Sequence, residues 1–267
     1  MRWQCKELQQ ICIGSAKLEC RCWGPAPADA PTLVLLHEGL GSVNLWKNFP
    51  SRLTKQTGYG VFAYSRAGYG GSDPVPLPRP LDYMTREAEI SLPDVLDAIG
   101  FQQGVLIGHS DGASIAAIYA GSVDDRRIRG ICLISPHFFT EERGLASIAD
   151  AKIAYEKTDL RTRMAKHHKD PDNAFRGWND AWLAPGFREW NIEEFITYMR
   201  VPVLAIQGRD DQYGTLAQIE ALQSRLFSPL EIEVLDDCKH SPHIEQSEKT
   251  VTAIADFVSR ITRIEAS

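Results

Sequence analysis

The chain has 267 residues, with 29 Lys and Arg against 35 Asp and Glu, a net charge of −6 and a hydrophobic fraction of 43%. That length supports a core large enough to fold without a metal or disulfide framework. The acidic balance, with no block of like-signed residues, argues against a nucleic-acid partner or an anionic membrane surface.

In chain order, the opening Met1-Arg2-Trp3-Gln4-Cys5-Lys6 lacks the apolar centre of a secretory signal. No later apolar run approaches the ~18 residues that cross a bilayer. Cys5, Cys12, Cys20, Cys22, Cys132 and Cys238 form no C-x-x-C pair, so reduced thiols in a cytoplasmic protein are expected. Ile11 and Ile13 alternate with polar neighbours, Gly14-Ser15 supplies a tight turn, and Leu18, Cys20 and Cys22 alternate back, which predicts a hairpin. Short apolar runs follow at 33–36, 60–64, 105–107, 131–134, 203–206 and 232–235, the pattern of strands buried on both faces. Helical periods lie between or after them at 45–56, 84–99, 110–120, 216–227 and 249–264. This alternation predicts an α/β protein with a doubly wound, mostly parallel sheet, whose ligands gather at the carboxyl ends of strands.

Residues 137–200 interrupt the alternation. They show helical patterns at 145–155, 160–167 and 192–198 and carry ten of the chain's 24 Phe, Trp and Tyr residues. One reading is a helical elaboration that buries its own small core; the sharper one is a lid that lines an apolar pocket over the strand ends.

Gly108-His109-Ser110-Asp111-Gly112 matches G-x-S-x-G between an apolar strand and a helix. In that context the serine occupies a strained turn at a helix N-terminus, where N–H groups favour developing negative charge. A serine alcohol needs a base and an orienting acid to act as nucleophile. The strand at 203–206 leads into Arg209-Asp210-Asp211, and the next leads into Cys238-Lys239-His240-Ser241-Pro242-His243. Both candidates follow strand carboxyl ends, in the chain order Ser, acid, His.

On these residues the chain resembles lidded α/β-hydrolase fold enzymes, the group of esterases, lactonases and carbon–carbon bond hydrolases. The likeness runs over nearly the full length and is least specific in the lid. It implies an eight-stranded, mostly parallel sheet, with residues 1–136 and 201–267 as the core domain and 137–200 as a helical cap. It implies a triad of Ser110, Asp211 and His240, with Asp210 the rival acid and His243 the rival base. It also implies an oxyanion hole from the backbone amides of Asp111 and Gly39, with Glu38 and Leu40 as rivals for the second donor. In His37-Glu38-Gly39-Leu40-Gly41, Glu38 either stands where the group usually carries glycine or is an insertion ahead of Gly39-Leu40-Gly41. Its carboxylate either faces the cleft or braces the loop.

Lys239 replaces the group's glycine before the histidine, Gly214 stands where proline is frequent, and the loop Tyr64 to Ser72 reads as structural. A serine at the elbow disfavours the members that use an aspartate nucleophile. Glu38, His37, Phe138, Trp178, Trp182 and His243 are candidate pocket residues. No G-x-G-x-x-G, P-loop or H-E-x-x-H string occurs, so no cofactor and no metal is expected. Cys238 reads as a packed thiol rather than a reactive one. The expected substrate is a small to medium, largely apolar ester or lactone. A carbon–carbon bond hydrolase acting on ring-fission products is the alternative, and a lyase or ligand receptor on the same fold is a third. A homodimer is left open.

Overall fold

The computed structural model describes residues 1–3 and 7–265, with side chains described to residue 261; Cys5 lies outside the described residues. Eight strands form one sheet: β1 (Gln9–Ile13), β2 (Ala16–Trp23), β3 (Thr32–Leu36), β4 (Gly60–Tyr64), β5 (Gly104–His109), β6 (Ile128–Ile134), β7 (Val203–Gly208) and β8 (Leu230–Leu235). Their spatial order is β1-β2-β4-β3-β5-β6-β7-β8. The β1–β2 and β2–β4 pairs are antiparallel and the other five are parallel. The first pair is the expected hairpin, with Gly14 at φ 55 in a two-residue turn.

The apolar runs of β3 to β7 are buried on both faces, their successive side chains alternating across the sheet, whereas the run at 232–235 lies in the edge strand β8 and is only partly buried up to Leu235. Leu33, Leu35, Val61, Ala63, Val105 and Ile107 join one core cluster, with Phe49, Leu53, Val251 and Phe257 from the covering helices. Val34, Leu36, Phe62, Tyr64 and Leu106 join the other, with Ala113, Ala116 and Ile118. The helices are α1 (Phe49–Thr57), α2 (Tyr83–Arg86), α3 (Leu92–Ala98), α4 (Asp111–Ser122), α5 (Glu142–Lys157), α6 (Leu160–Met164), α7 (Pro171–Trp182), α8 (Glu193–Ile196), α9 (Ala217–Arg225), α10 (Pro242–Glu245) and α11 (Ser247–Glu265). No described helix is long and apolar enough to cross a membrane. Among the described residues no disulfide forms.

Two helical expectations are corrected. The single helix at 84–99 is α2, a π-turn at Glu87–Ser91 and α3. Pro93 has no N–H and its ring would crowd the carbonyl four residues back, so the widened turn carries the chain into α3. The helix at 45–56 begins only at Phe49, after a 3₁₀ turn at Val43–Trp46 that ends on Lys47 at φ 52.

Residues 137–200 are helical throughout their middle, in α5 to α8 and a 3₁₀ turn at Pro185–Glu189. The longest element after α5 is α7, which the patterns did not show. Phe175, Trp178, Trp182 and Phe187 pack into the same cluster as the α4 face of the sheet, so this segment does not bury a separate core.

Candidate active site

Strand β5 ends at His109 and α4 starts at Asp111. Ser110 between them has φ 53 and ψ −118, a left-handed conformation that costs a non-glycine residue about 1–3 kcal/mol. Its neighbours hold it there: Ser110 N–H donates to the Ile134 carbonyl at 2.9 Å, and its own carbonyl accepts from Ala113 at 2.8 Å and Ser114 at 3.0 Å. The two glycines of the motif allow the close approach. A methyl on Gly112 would stand 2.0 Å from the Leu36 carbonyl oxygen, and one on Gly108 would stand 2.1 Å from the Gly112 carbonyl oxygen. As the first residue of α4, Asp111 has an N–H with no acceptor among the described residues.

The loop after β7 brings Asp211 to His240. His240 Nδ1 lies 2.9 Å and 2.8 Å from Oδ1 and Oδ2 of Asp211, a pair almost closed to solvent. Asp211 also accepts from Gln207 Nε2 at 2.8 Å and from the Tyr213 N–H at 2.8 Å. Burial alone would raise its carboxyl, but the His240 bond and charge outweigh burial and bring it down to about 2. Two bonds to main-chain carbonyls lock the loops together: Asp210 N–H donates to the Cys238 carbonyl at 2.9 Å, and the His109 side chain donates from Nε2 to the His240 carbonyl at 2.7 Å. Asp210, by contrast, is exposed. Burial pushes the Cys238 thiol up to about 11, so it is a packed neutral group.

The loop after β3 runs past the elbow and is held by the Tyr64–Ser72 loop. Arg66 N–H donates to His37 Nε2 at 3.0 Å, and the Arg66 guanidinium donates to the carbonyls of His37 and, at 3.1 Å, Glu38. The N–H of Gly39 has no acceptor among the described residues. Gly39 also carries the Trp178 indole, since an added methyl there would stand 2.2 Å from the ring. Glu38 Oε2 lies 3.5 Å from His109 Nδ1, which has no hydrogen-bond partner among the described residues. Burial would raise the Glu38 carboxyl, but the His109 imidazole holds it well below the usual carboxylate range.

These groups open on one cavity of about 220 Å³. Ser110, Asp111 and His240 line it, as do Gly39, Glu38, Trp178 and Trp182. Asp211 stands behind His240. Three expected pocket residues are outside the lining, each for a packing reason. His37 is fully buried under Arg66, with its Nδ1 2.7 Å from the Glu38 carbonyl. Phe138 is fully buried, its N–H donating to Gln218 Oε1 at 2.7 Å. His243 packs its ring against Trp46 and Phe49, with centroids 4.9 Å and 5.5 Å away. Conversely, His137, Ile148, Gln212 and Tyr213 line the cavity and were not singled out by the sequence. Position was the available signal for His137 and Tyr213, since each lies just beyond a strand carboxyl end. Burial lowers His137 to about 3, which keeps it neutral beside His240.

Comparisons with known proteins agree with this architecture. A model described as the alpha/beta hydrolase family matches residues 33–253. Over 88 residues the chain is 38% identical to "Putative carbamate hydrolase RutD" of Pseudomonas syringae pv. syringae (strain B728a). That stretch covers 33% of this chain and 32% of the relative, so the match spans about a third of either length. The enol-lactonase of Burkholderia xenovorans LB400 superposes with a TM-score of 0.72 at 18% identity, over 94% of this chain and 100% of that one. A meta-cleavage product hydrolase of Pseudomonas fluorescens IP01 superposes with a TM-score of 0.74 at 17% identity, over 94% and 97% of the two chains. At these identities the two structures share the fold.

Proposed function

Because the chain belongs to the alpha/beta hydrolase family, we propose that it is a cofactor-free serine hydrolase cleaving a small, largely apolar ester or lactone through an acyl-enzyme on Ser110. One observation carries the reading: a serine on a strained strand-to-helix turn and an imidazole bonded to a buried carboxylate at 2.8 Å line one cavity. With Nδ1–H directed at Asp211, the other imidazole nitrogen is the basic one and takes the Ser110 proton as Oγ attacks the acyl carbon. Asp211, ionised down to about pH 2, stabilises the imidazolium that forms. The amides of Asp111 and Gly39 receive the oxyanion, each contributing on the order of 10²–10³ in rate. His240 then returns the proton to the leaving alcohol, and water repeats the sequence on the acyl-enzyme.

A cavity of about 220 Å³ is at the small end for ligand sites and suits a short acyl group. Residues 1–136 and 201–267 form the core in this reading, and 137–200 form a cap whose Ile148, Trp178 and Trp182 close the acyl site from water. A fluorophosphonate probe with a panel of nitrophenyl esters tests the reading. Wild-type protein is labelled and turns over short acyl esters, and Ser110→Ala loses both while keeping its circular-dichroism spectrum. Retained turnover in Ser110→Ala overturns it.

A further inference from the structure

Glu38 is the charged group of the cavity for which neither the fold nor the proposed mechanism has a use. Its main-chain oxygen is engaged, accepting from the Gly41 N–H at 3.1 Å and Arg66 Nη2 at 3.1 Å. Its carboxylate accepts no hydrogen bond among the described residues; His109 Nδ1 stands 3.5 Å from Oε2 and is itself without a hydrogen-bond partner there. The carboxylate packs over Gly41, where an added methyl would stand 2.4 Å from Oε2, and leaves its acceptor capacity unfilled. Its side chain keeps 29% of its surface open, on residues that line the cavity. Its unfilled lone pairs are open to a hydrogen-bond donor that enters the cavity.

The rest of the lining fits one kind of partner. The rings of Trp178, Trp182 and Tyr213 lie around the same space, and aromatic faces attract cations. Lys and Arg are absent from the described lining. The nearby guanidinium of Arg66 is turned to main-chain carbonyls and lies over the Tyr69 ring, 5.1 Å from its centroid. His137 is neutral, and the Nε2 proton of His109 is committed to the His240 carbonyl. Asp111 also contributes to the lining, but its carboxylate is fully buried and accepts from the Tyr83 hydroxyl, so Glu38 is the carboxylate a ligand can reach. An anionic substrate would meet its like charge, whereas an ammonium group brings N–H donors to oxygens that accept none among the described residues.

We propose that Glu38 is a substrate-recognition residue for a protonated amine, so that the preferred substrates are small esters carrying an ammonium group within a few bonds of the scissile carbonyl. The short span follows from the chain itself, because Glu38 is bonded to Gly39, whose amide the serine-hydrolase reading assigns to the oxyanion. The inference rests on that reading.

A matched pair of substrates tests it: the phenyl ester of 3-aminopropanoate against that of butanoate, equal in length and differing by one cation. The wild-type protein prefers the ammonium ester at least tenfold in kcat/KM, and Glu38→Gln brings the ratio to within about twofold of one, whatever its absolute rates. In wild-type protein, propylammonium ion slows fluorophosphonate labelling of Ser110 at concentrations where butanol does not, a readout that needs no variant. Hydrolysis of the butanoate ester without preference for its ammonium partner overturns the inference and leaves the hydrolase reading standing. A preference that survives Glu38→Gln also overturns it. Absence of both labelling and turnover overturns the two together.

Discussion

Asp210 and Asp211 are adjacent carboxylates in opposite surroundings. Asp210 faces solvent, while Asp211 is 1% exposed and accepts from Gln207, Tyr213 and His240. Replacing Asp211 by Asn presents an amide to Nδ1 and favours the wrong imidazole tautomer, so kcat on a nitrophenyl ester falls by on the order of 10³–10⁴. Asp210→Asn leaves kcat within about twofold. Equal losses in the two variants would remove Asp211 from its assigned role. The sequence brought the choice down to this pair, because both follow the β7 run. Direction is what sequence lacks: neighbouring residues project differently, and a main-chain bond from Asp210 to Cys238 decides which carboxylate turns inward. The same limit applies to His37 and His243. Their residue type and position suggested pocket roles, yet each ring is taken up by neighbouring side chains or main chain.

Three helices meet at the elbow through one buried chain of hydrogen bonds. Trp182 Nε1 on α7 donates to Tyr83 Oη on α2 at 3.0 Å, and Tyr83 Oη donates to Asp111 Oδ2 on α4 at 2.5 Å. Tyr83→Phe leaves the Trp182 N–H and one Asp111 oxygen without partners in a dry site. Urea unfolding reports a loss of about 1–3 kcal/mol for such a change; an unchanged midpoint would show the chain of bonds to be inconsequential. Neither Tyr83 nor α7 stood out in the sequence. Gly177 and two Asn residues lower the helical signal of α7, and its apolar face is spent on the core cluster. One local cue was present: Asp170 precedes Pro171, and its carboxylate accepts the Asn173 N–H at 2.9 Å, a helix cap followed by proline at the first position. The sheet was more legible, because strands buried on both faces need continuous apolar runs, and at 33–36 and 60–64 every residue is buried.

Across the molecule, four buried histidines tie stability to pH. Burial lowers His137 to about 3, lowers His168, and holds His37 and His243 well below the ordinary 6.5. Their folded values lie below the unfolded one, so the unfolded chain takes up protons first as pH falls. Stability is fully present above about pH 6.5 and drains below it, by about 1.4 kcal/mol per pH unit for each histidine. Asp211, depressed to about 2, adds a second loss only as pH falls below about 4. Urea midpoints measured from pH 7.5 to 5 therefore decline steeply below 6.5; a flat profile would mean that these imidazoles are not buried as neutral groups. The proposed hydrolysis depends on a covalent bond to one serine. Quenching wild-type protein during turnover of a nitrophenyl ester and weighing its peptides tests this most directly. The acyl mass is expected on the peptide containing Ser110 and absent from Ser110→Ala. Sustained turnover with Ser110 never acylated would contradict it.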